Sequence, residues 1–333
     1  MLSVICPIYN EEKYIGPCIE SILAQDYPKD NLEVIFADGM STDCTREIVA
    51  GYTARYPWIR LIDNPDRIVP PALNAAIKAS KGDIIMRLDA HAEYPTNYFT
   101  ALTHALKELK ADNVGALCIT LPTNDTPTAR AIAAVLSSKF GMGNSAFRVG
   151  AKTVTQVDTV PFGCWPREVF DRIGLFDNDL VRNQDDEFNG RLTKAGGKIY
   201  LLPEIEVKYF ARDKVSKVAR MFYQYGLFKP LVNKKLGSPA TLRQFVPLML
   251  VVGLVAGALI SLLWHPFAWV YIAGIVLYLL MALMFSLRSS RDVRQVFIQV
   301  ATYVTVHISY GCGYLVGLWK LLAHKSFNAN NNR

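Results

Sequence analysis

From Gln244 to Leu287 the chain carries no Lys, Arg, Asp or Glu, although charged residues make up 20% of the sequence. A helix at the surface of a water-soluble domain keeps a polar outer face, so a run this long excludes an ordinary soluble fold for that part of the chain. Phe245 to Trp264 and Phe267 to Leu287 are each long enough to span about 30 Å of hydrocarbon. Val296 to Trp319 is also free of charge but carries Gln299, Thr302, Thr305, His307 and Ser309. It is expected as a third span, packed on its neighbours through that polar face and the Gly313/Gly317 pair. His307 reads as an interhelical hydrogen-bonding group rather than a ligand.

The overall charge of +7 conceals an asymmetry. Residues 207–333 hold 15 Lys and Arg against 2 Asp and Glu, which leaves about −6 for residues 1–206. A basic segment beside apolar spans suits an anionic membrane surface, and it argues against nucleic acid as a partner. Arg212, Lys214, Lys217, Arg220 and Lys229 alternate with Val215, Val218, Met221, Phe222, Tyr225 and Phe228, the pattern of amphipathic helices lying in a membrane interface. Cations flank the first span at Lys234, Lys235 and Arg243, and separate the second from the third at Arg288, Arg291 and Arg294. They predict a cytoplasmic side there, with the His265-Pro266 turn outside. The six cysteines show no metal-finger spacing and read as small buried hydrophobes in a reducing compartment. The N-terminus enters a strand at once, without a basic leader or cleavage site, so no signal peptide is expected.

The first 200 residues alternate strand, short loop and helix. Leu2–Cys6, Leu32–Ala37, a strand near 58–62 and Ile84–Leu88 are apolar runs, each followed by a helical pattern, which predicts an α/β fold on a mostly parallel sheet. The domains expected are a catalytic unit over 1–206, interfacial helices over 207–243, a membrane region of about three helices over 244–320, and a polar tail over 321–333. In a parallel sheet, ligands bind past the carboxyl ends of the strands. Those ends bring Pro7–Glu11, Asp38–Asp43 and Asp89–His91 to one rim. Asp89 and His91, one residue apart after a buried strand, have the chemistry to hold a divalent cation, and the cation a diphosphate. An Asp capping the next helix beside a surface His is the plainer alternative. Asn183-Gln-Asp-Asp-Glu187 opens a helix, where acid and amide groups serve equally well as caps.

Four segments in order, Pro7-Ile-Tyr-Asn-Glu11, Asp38-Gly-Met-Ser-Thr-Asp43, Asp89-Ala-His91 in place of Asp-x-Asp, and Gln184-Asp-Asp-Glu187 with Arg191, resemble glycosyltransferase family 2. These are inverting sugar transferases of GT-A fold, a Rossmann-like mostly parallel sheet, and the resemblance covers roughly residues 1–200. Within the family the chain looks like bacterial exopolysaccharide transferases of the succinoglycan-biosynthesis type, which end in a similar membrane region.

The resemblance implies a nucleotide-sugar donor, usually a UDP-sugar, with Mg²⁺ or Mn²⁺. It implies that Pro7, Tyr9 and Glu11 line the nucleotide pocket and that Asp38 approaches the uracil or ribose. Asp89 would reach the ribose or the metal, His91 would replace the last metal-binding Asp, and Asp185 would be the catalytic base. Phe162, Gly163 and Trp165, with Gln184, are expected at the acceptor, Phe162 to Trp165 serving equally well as core. Gln184 stands where the family usually has Glu. The implied acceptor is a lipid-linked saccharide, and the implied place is the cytoplasmic face of a bacterial inner membrane that the chain crosses several times. Processive synthases of the family carry Gln-x-x-Arg-Trp, whereas here the nearest match is Gln224-Tyr-Gly-Leu-Phe228, which favours one sugar per encounter. A processive synthase and a non-catalytic nucleotide-sugar sensor are the competing readings.

Overall fold

The computed structural model describes residues 1–239 and 241–327. The chain opens with β1 (Leu2–Ile8), α1 (Ile15–Leu23), β2 (Leu32–Asp38), α2 (Thr45–Thr53), β3 (Ile59–Asp63), α3 (Val69–Ala79) and β4 (Ile84–Arg87). Then come β5 (Ala92–Glu93), α4 (Tyr98–Glu108), β6 (Asn113–Leu121), α5 (Pro127–Leu136), α6 (Lys139–Met142) and α7 (Ala146–Val149). After these follow β7 (Thr155–Gln156), β8 (Cys164–Pro166), α8 (Glu168–Ile173), α9 (Gln184–Lys194) and β9 (Ile199–Phe210). Four helices close the described chain: α10 (Val215–Leu236), α11 (Phe245–Leu263), α12 (His265–Ser289) and α13 (Val293–Leu322). The Asn-rich end of the expected polar tail lies outside the described residues.

Two compact units result. Met1–Ile119 and Gly150–Tyr209 form one, while Thr120–Val149 and the described residues from Phe210 to Phe327 form the other. The first unit is built on a nine-stranded sheet of order β3-β2-β1-β4-β8-β6-β9-β5, with β7 on β9. Every residue of β1 and β2 is buried, as expected for parallel strands covered on both faces. Leu2, Val4, Cys6, Val34 and Phe36 pack on Ile15, Ile19 and Ile22 of α1.

The register fixes the site. β1 runs parallel to β2 with Ile8 opposite Asp38, and parallel to β4 with Ile5 opposite Arg87. The segments after these three strands therefore emerge along one edge. The sheet is more mixed than a mostly parallel reading: β8 is antiparallel to β4 and β6, and β9 is antiparallel to β5 and β7. The 12-residue β9 escaped the sequence pattern because charged residues alternate along it as Glu204, Glu206 and Lys208.

In the second unit α10 is the expected amphipathic helix. It buries Val218, Phe222, Leu227, Phe228 and Val232. By length and composition α11 and α12 are able to cross a membrane. Few of their residues are fully buried, and Leu263 is 88% exposed. Helix α13 does not meet the same measure, which differs from the expectation of a third span. Two of its polar residues lie inside the protein: Gln299 and Thr302 are fully buried, and Gln299 accepts a hydrogen bond from Ser289. Gly313 and Gly317 lie directly against the backbone of α10 at Tyr223 and Leu227. His307 behaves as expected, donating from Nε2 to the Phe140 carbonyl at 2.9 Å while Nδ1 lies 2.8 Å from the Tyr278 hydroxyl.

Candidate active site

The loops after β1 and β2 are laced together by short polar side chains. The Asn10 amide donates to Ser41 Oγ at 2.9 Å, and the Thr42 amide donates back to Asn10 Oδ1 at 2.8 Å. The Glu11 amide donates to Thr45 Oγ1 at 2.7 Å, and the Glu12 amide to Asp43 Oδ2 at 3.2 Å. Asn10 and Met40 both adopt positive φ, 54° and 60°, which tightens each loop at its start. A β-carbon on Gly39 would press on the Tyr9 ring at 3.1 Å, so glycine lets the loops close on each other.

Asp38 organises this corner from below. It is fully buried, and its carboxylate accepts from the Ser41 amide at 3.0 Å, from Ser41 Oγ at 2.5 Å and from Arg46 Nη1 at 2.6 Å. Arg46 also holds Asp63 at 2.8 Å. The same carboxylate expected at the base or ribose thus shapes the loop around it. Pro7 is buried within β1, beside Ala37, and Tyr9 is half-buried at its end.

Past β4 the chain carries Asp89 and His91 to the same edge. The Asp89 amide donates to the Tyr94 hydroxyl at 2.8 Å, and Tyr94 packs on Tyr98 and Phe162 beneath. His91 Nδ1 lies 3.7 Å from Glu11 Oε1, and the His91 ring centroid is 5.7 Å from that of Tyr209. Asp185 reaches this edge from the first turn of α9. It follows Asn183, whose φ of 62° turns the chain into the helix.

Arg87 joins the two carboxylates. It is 4% exposed, its Nη2 lies 3.2 Å from Asp89 Oδ1, and its Nη1 donates to Asp185 Oδ1. Its backbone amide donates to the Gly163 carbonyl at 2.9 Å, fixing the strand from which it projects. Burial pulls the guanidinium toward neutrality, but Asp185 and Asp89 outweigh it and hold it protonated. Burial pushes the Asp185 carboxyl above the usual carboxylate range; Arg87 pulls it down, and Asp89 and Asp186 push it up. The sequence reading missed Arg87. The available signal was a lone cation ending an apolar strand, a position a charge occupies only when it is paired.

The expected acceptor residues divide. Trp165 is 2% exposed and packs edge-on against Phe170, Phe176 and Phe188, so its ring belongs to the core rather than to a sugar platform. Gly163 is required by that core, because a β-carbon there would run into the Trp165 ring and Asn113 Oδ1. Phe162 holds a positive φ of 49°, with its carbonyl accepting from Tyr98 at 3.2 Å. Gln184 is buried at the start of α9. Two turns along, Arg191 pairs with the buried Glu187 and donates to the Ile173 and Leu175 carbonyls, so this half of the motif fastens α9 to the chain before it.

The donor set suits a divalent cation that arrives with its own ligands. Asp89 offers a carboxylate and His91 an imidazole, with Glu11 beside it, yet among the described residues no three His, Cys, Asp or Glu cluster closely enough to hold an ion unaided. An ion of the Mg²⁺ or Mn²⁺ class bound through one carboxylate commonly completes its shell with phosphate oxygens and water.

The comparisons with known proteins agree with this architecture. Residues 3–174 match the family model "Glycosyl transferase family 2". A dolichyl N-acetyl-α-D-glucosaminyl phosphate 3-β-D-2,3-diacetamido-2,3-dideoxy-β-D-glucuronosyltransferase of Methanococcus voltae is 34% identical over 243 residues, covering 70% of this chain and 74% of the relative. The succinoglycan biosynthesis protein ExoA of Rhizobium meliloti is 30% identical over 270 residues, 78% of each chain. Among solved structures, a mannosyltransferase of Pyrobaculum calidifontis in complex with GDP-Man and Mn²⁺ superposes with a TM-score of 0.65 at 20% identity, over 96% of this chain and 87% of that one. S. aureus TarS 1-349 in complex with UDP does so with a TM-score of 0.52 at 15% identity, over 99% and 94%. A GT-A-like sheet with its strand ends gathered on one edge, a family match over half the sequence and two relatives aligned along most of their length lead to one conclusion: the chain belongs to glycosyltransferase family 2.

Proposed function

We propose that the chain is an inverting, metal-dependent transferase that moves a hexose from a nucleotide-sugar, a UDP-sugar first among candidates, to a lipid-linked saccharide at the cytoplasmic face of a membrane. One observation carries the reading: a single buried arginine draws Asp89, from the rim of the sheet, and Asp185, from α9, to one point. The reaction needs a place for the metal-bound diphosphate and an acceptor for a proton there, and these two segments would supply the residues for them.

Arg87 donates to Oδ1 of Asp185, and Oδ2 would take the proton of the acceptor hydroxyl. The side chain is 33% exposed, enough for an acceptor to reach it. As the hydroxyl loses its proton to Asp185, its oxygen attacks the anomeric carbon. The bond from that carbon to the diphosphate breaks on the opposite face, and the nucleoside diphosphate leaves. Asp89 and His91 would hold the divalent ion, which when bound offsets the negative charge of the leaving diphosphate. Pro7, Tyr9, Glu11 and the loop organised by Asp38 would cradle the nucleotide. Phe162 and Gln184 remain candidates for the acceptor side.

Several features favour a membrane acceptor. Helices α11 and α12 suit a lipid environment, and α10, which precedes them in the chain, ends on Lys234 and Lys235. The Methanococcus relative is named for a dolichyl-phosphate-linked substrate. Anchoring near a lipid carrier raises the effective concentration of acceptor without further contacts.

The experiment is to incubate membranes containing the full chain with a panel of radiolabelled nucleotide-sugars and extract the lipid fraction, comparing wild type with Asp185→Asn. Label entering lipid with wild type alone supports the transferase. Donor binding without transfer or hydrolysis in either protein supports a sensor, and a polymer of growing length supports a processive synthase.

A further inference from the structure

Arg87 does more in this arrangement than complete a salt bridge. Two carboxylates meet at the rim, and the single positive charge that both contact is a covalent part of β4. A guanidinium offers a planar fork suited to two carboxylates at once, and it stays protonated when buried. Its Nε, also buried, has no hydrogen-bond acceptor. A buried donor left unfilled in a native protein calls for an explanation, and an arrangement that changes when ligand arrives is one.

We infer that Arg87 is a placeholder cation, which satisfies Asp89 and Asp185 in the donor-free protein and keeps a divalent ion out until the ion comes with a nucleotide diphosphate. The inference rests on the metal-dependent reading above. A free divalent ion approaching Asp89 meets a positive charge already seated on that carboxylate, and like charges a few ångströms apart in a poorly hydrated site repel strongly. A diphosphate reverses the balance by bringing negative charge for both the ion and the guanidinium. Asp89 then turns to the ion, while Arg87 keeps Asp185 oriented at the start of α9. Arg87 is thus a positioning residue that couples occupancy of the donor site to the orientation of the base.

The test is Mn²⁺ binding by the full-length protein in detergent, followed by the electron paramagnetic resonance of the free aqueous ion. It is run with no nucleotide, with UDP and with GDP, against protein-free mixtures that account for Mn²⁺ held by the nucleotide itself. Wild type is expected to bind Mn²⁺ only with a nucleotide present. Arg87→Met is expected to bind Mn²⁺ without nucleotide at least about tenfold more tightly than wild type, because the competing charge is gone. Arg87→Lys, which keeps the charge, should stay close to wild type, and Arg87→Met with Asp89→Asn should lose the gain. Equal Mn²⁺ affinity in wild type with and without nucleotide overturns the inference, as does an Arg87→Met protein no better than wild type. If Arg87→Met does not fold, Arg87→Gln, which also removes the charge, takes its place in the comparison. Absence of Mn²⁺ binding in every arm removes the metal-dependent reading itself, and the placeholder with it.

Discussion

Arg87 and Asp185 stand 98 positions apart in the sequence and form an ion pair at the edge of the sheet, one at the end of β4 and the other in the first turn of α9. The pairing brings the Gln184-Asp-Asp-Glu187 segment to the Asp89-Ala-His91 segment. Neither segment holds both functions that sugar transfer requires, a place for the diphosphate and an acceptor for a proton.

The first consequence concerns the base. Asp185→Asn keeps the size of the side chain and its place in α9 but removes the proton acceptor. Transfer is expected to fall by roughly 10²–10⁴-fold, the range for loss of a positioned general base. Donor affinity, measured by calorimetry on the same preparation, should change little, since the nucleotide loops lie after β1 and β2. A matching loss of donor affinity would place Asp185 in donor binding instead.

The pH dependence follows from the partial burial of the same group. Burial raises the Asp185 carboxyl above the ordinary carboxylate range, with Arg87 opposing and Asp89 and Asp186 reinforcing. A base works only when ionised, so kcat/KM should fall as pH drops through that raised value, at a higher pH than the ~3.9 of an unperturbed Asp. Removing Arg87 removes an influence that lowers the value, so Arg87→Met should move this limb further toward neutral pH. The sign for stability is opposite to that of an ordinary salt-bridged carboxylate. A carboxyl raised on folding favours the fold in its neutral form, and that contribution is lost as pH rises through the folded value. Ionisation of Asp185 therefore does not add to the stability of the fold. A pH profile with its acidic limb at the unperturbed position would contradict this.

How much of this was legible in the sequence depended on whether a residue's role was set locally. Runs such as Leu2–Cys6 and Leu32–Ala37 announce buried strands by composition, and two rim segments follow them directly, so the rim at Pro7–Glu11 and Asp38–Asp43 could be read before the fold was known. The charge-free run did the same for α11 and α12. Arg87 was hidden because its significance comes from a partner 98 residues away. Trp165 was ambiguous for a related reason: an aromatic after an extended segment suits a sugar platform or a core, and only the position of Phe170, Phe176 and Phe188 around it decides for the core. Helix α13 was harder to read, because absence of charge says nothing about which polar side chains will face protein, as Gln299 and Thr302 do.

His91 bears on the choice of metal. Imidazole is a softer donor than carboxylate and shifts preference from Mg²⁺ toward Mn²⁺. EDTA should abolish transfer, and Mn²⁺ should restore it better than Mg²⁺. In His91→Asp the ratio of the two restored rates should move toward Mg²⁺. An unchanged ratio would remove His91 from the ion's surroundings and leave it as the neighbour of Glu11 and Tyr209.

The helices beyond the catalytic unit make a separate prediction about packing. A β-carbon on Gly313 would strike the Tyr223 carbonyl and approach the Leu227 amide at 3.0 Å, both backbone atoms of α10 that cannot step aside. Gly253 in α11 has nothing within 4 Å of the same position. Both are helical glycines, so both gain about 0.5–1 kcal/mol of helix propensity on replacement by alanine. Overpacking at a tight contact costs about 1–3 kcal/mol and outweighs that gain only where backbone is in the way. Gly313→Ala should therefore lower the melting temperature in detergent, while Gly253→Ala should leave it unchanged or raise it. Equal effects at the two sites would mean that α13 does not lean on α10 through this glycine.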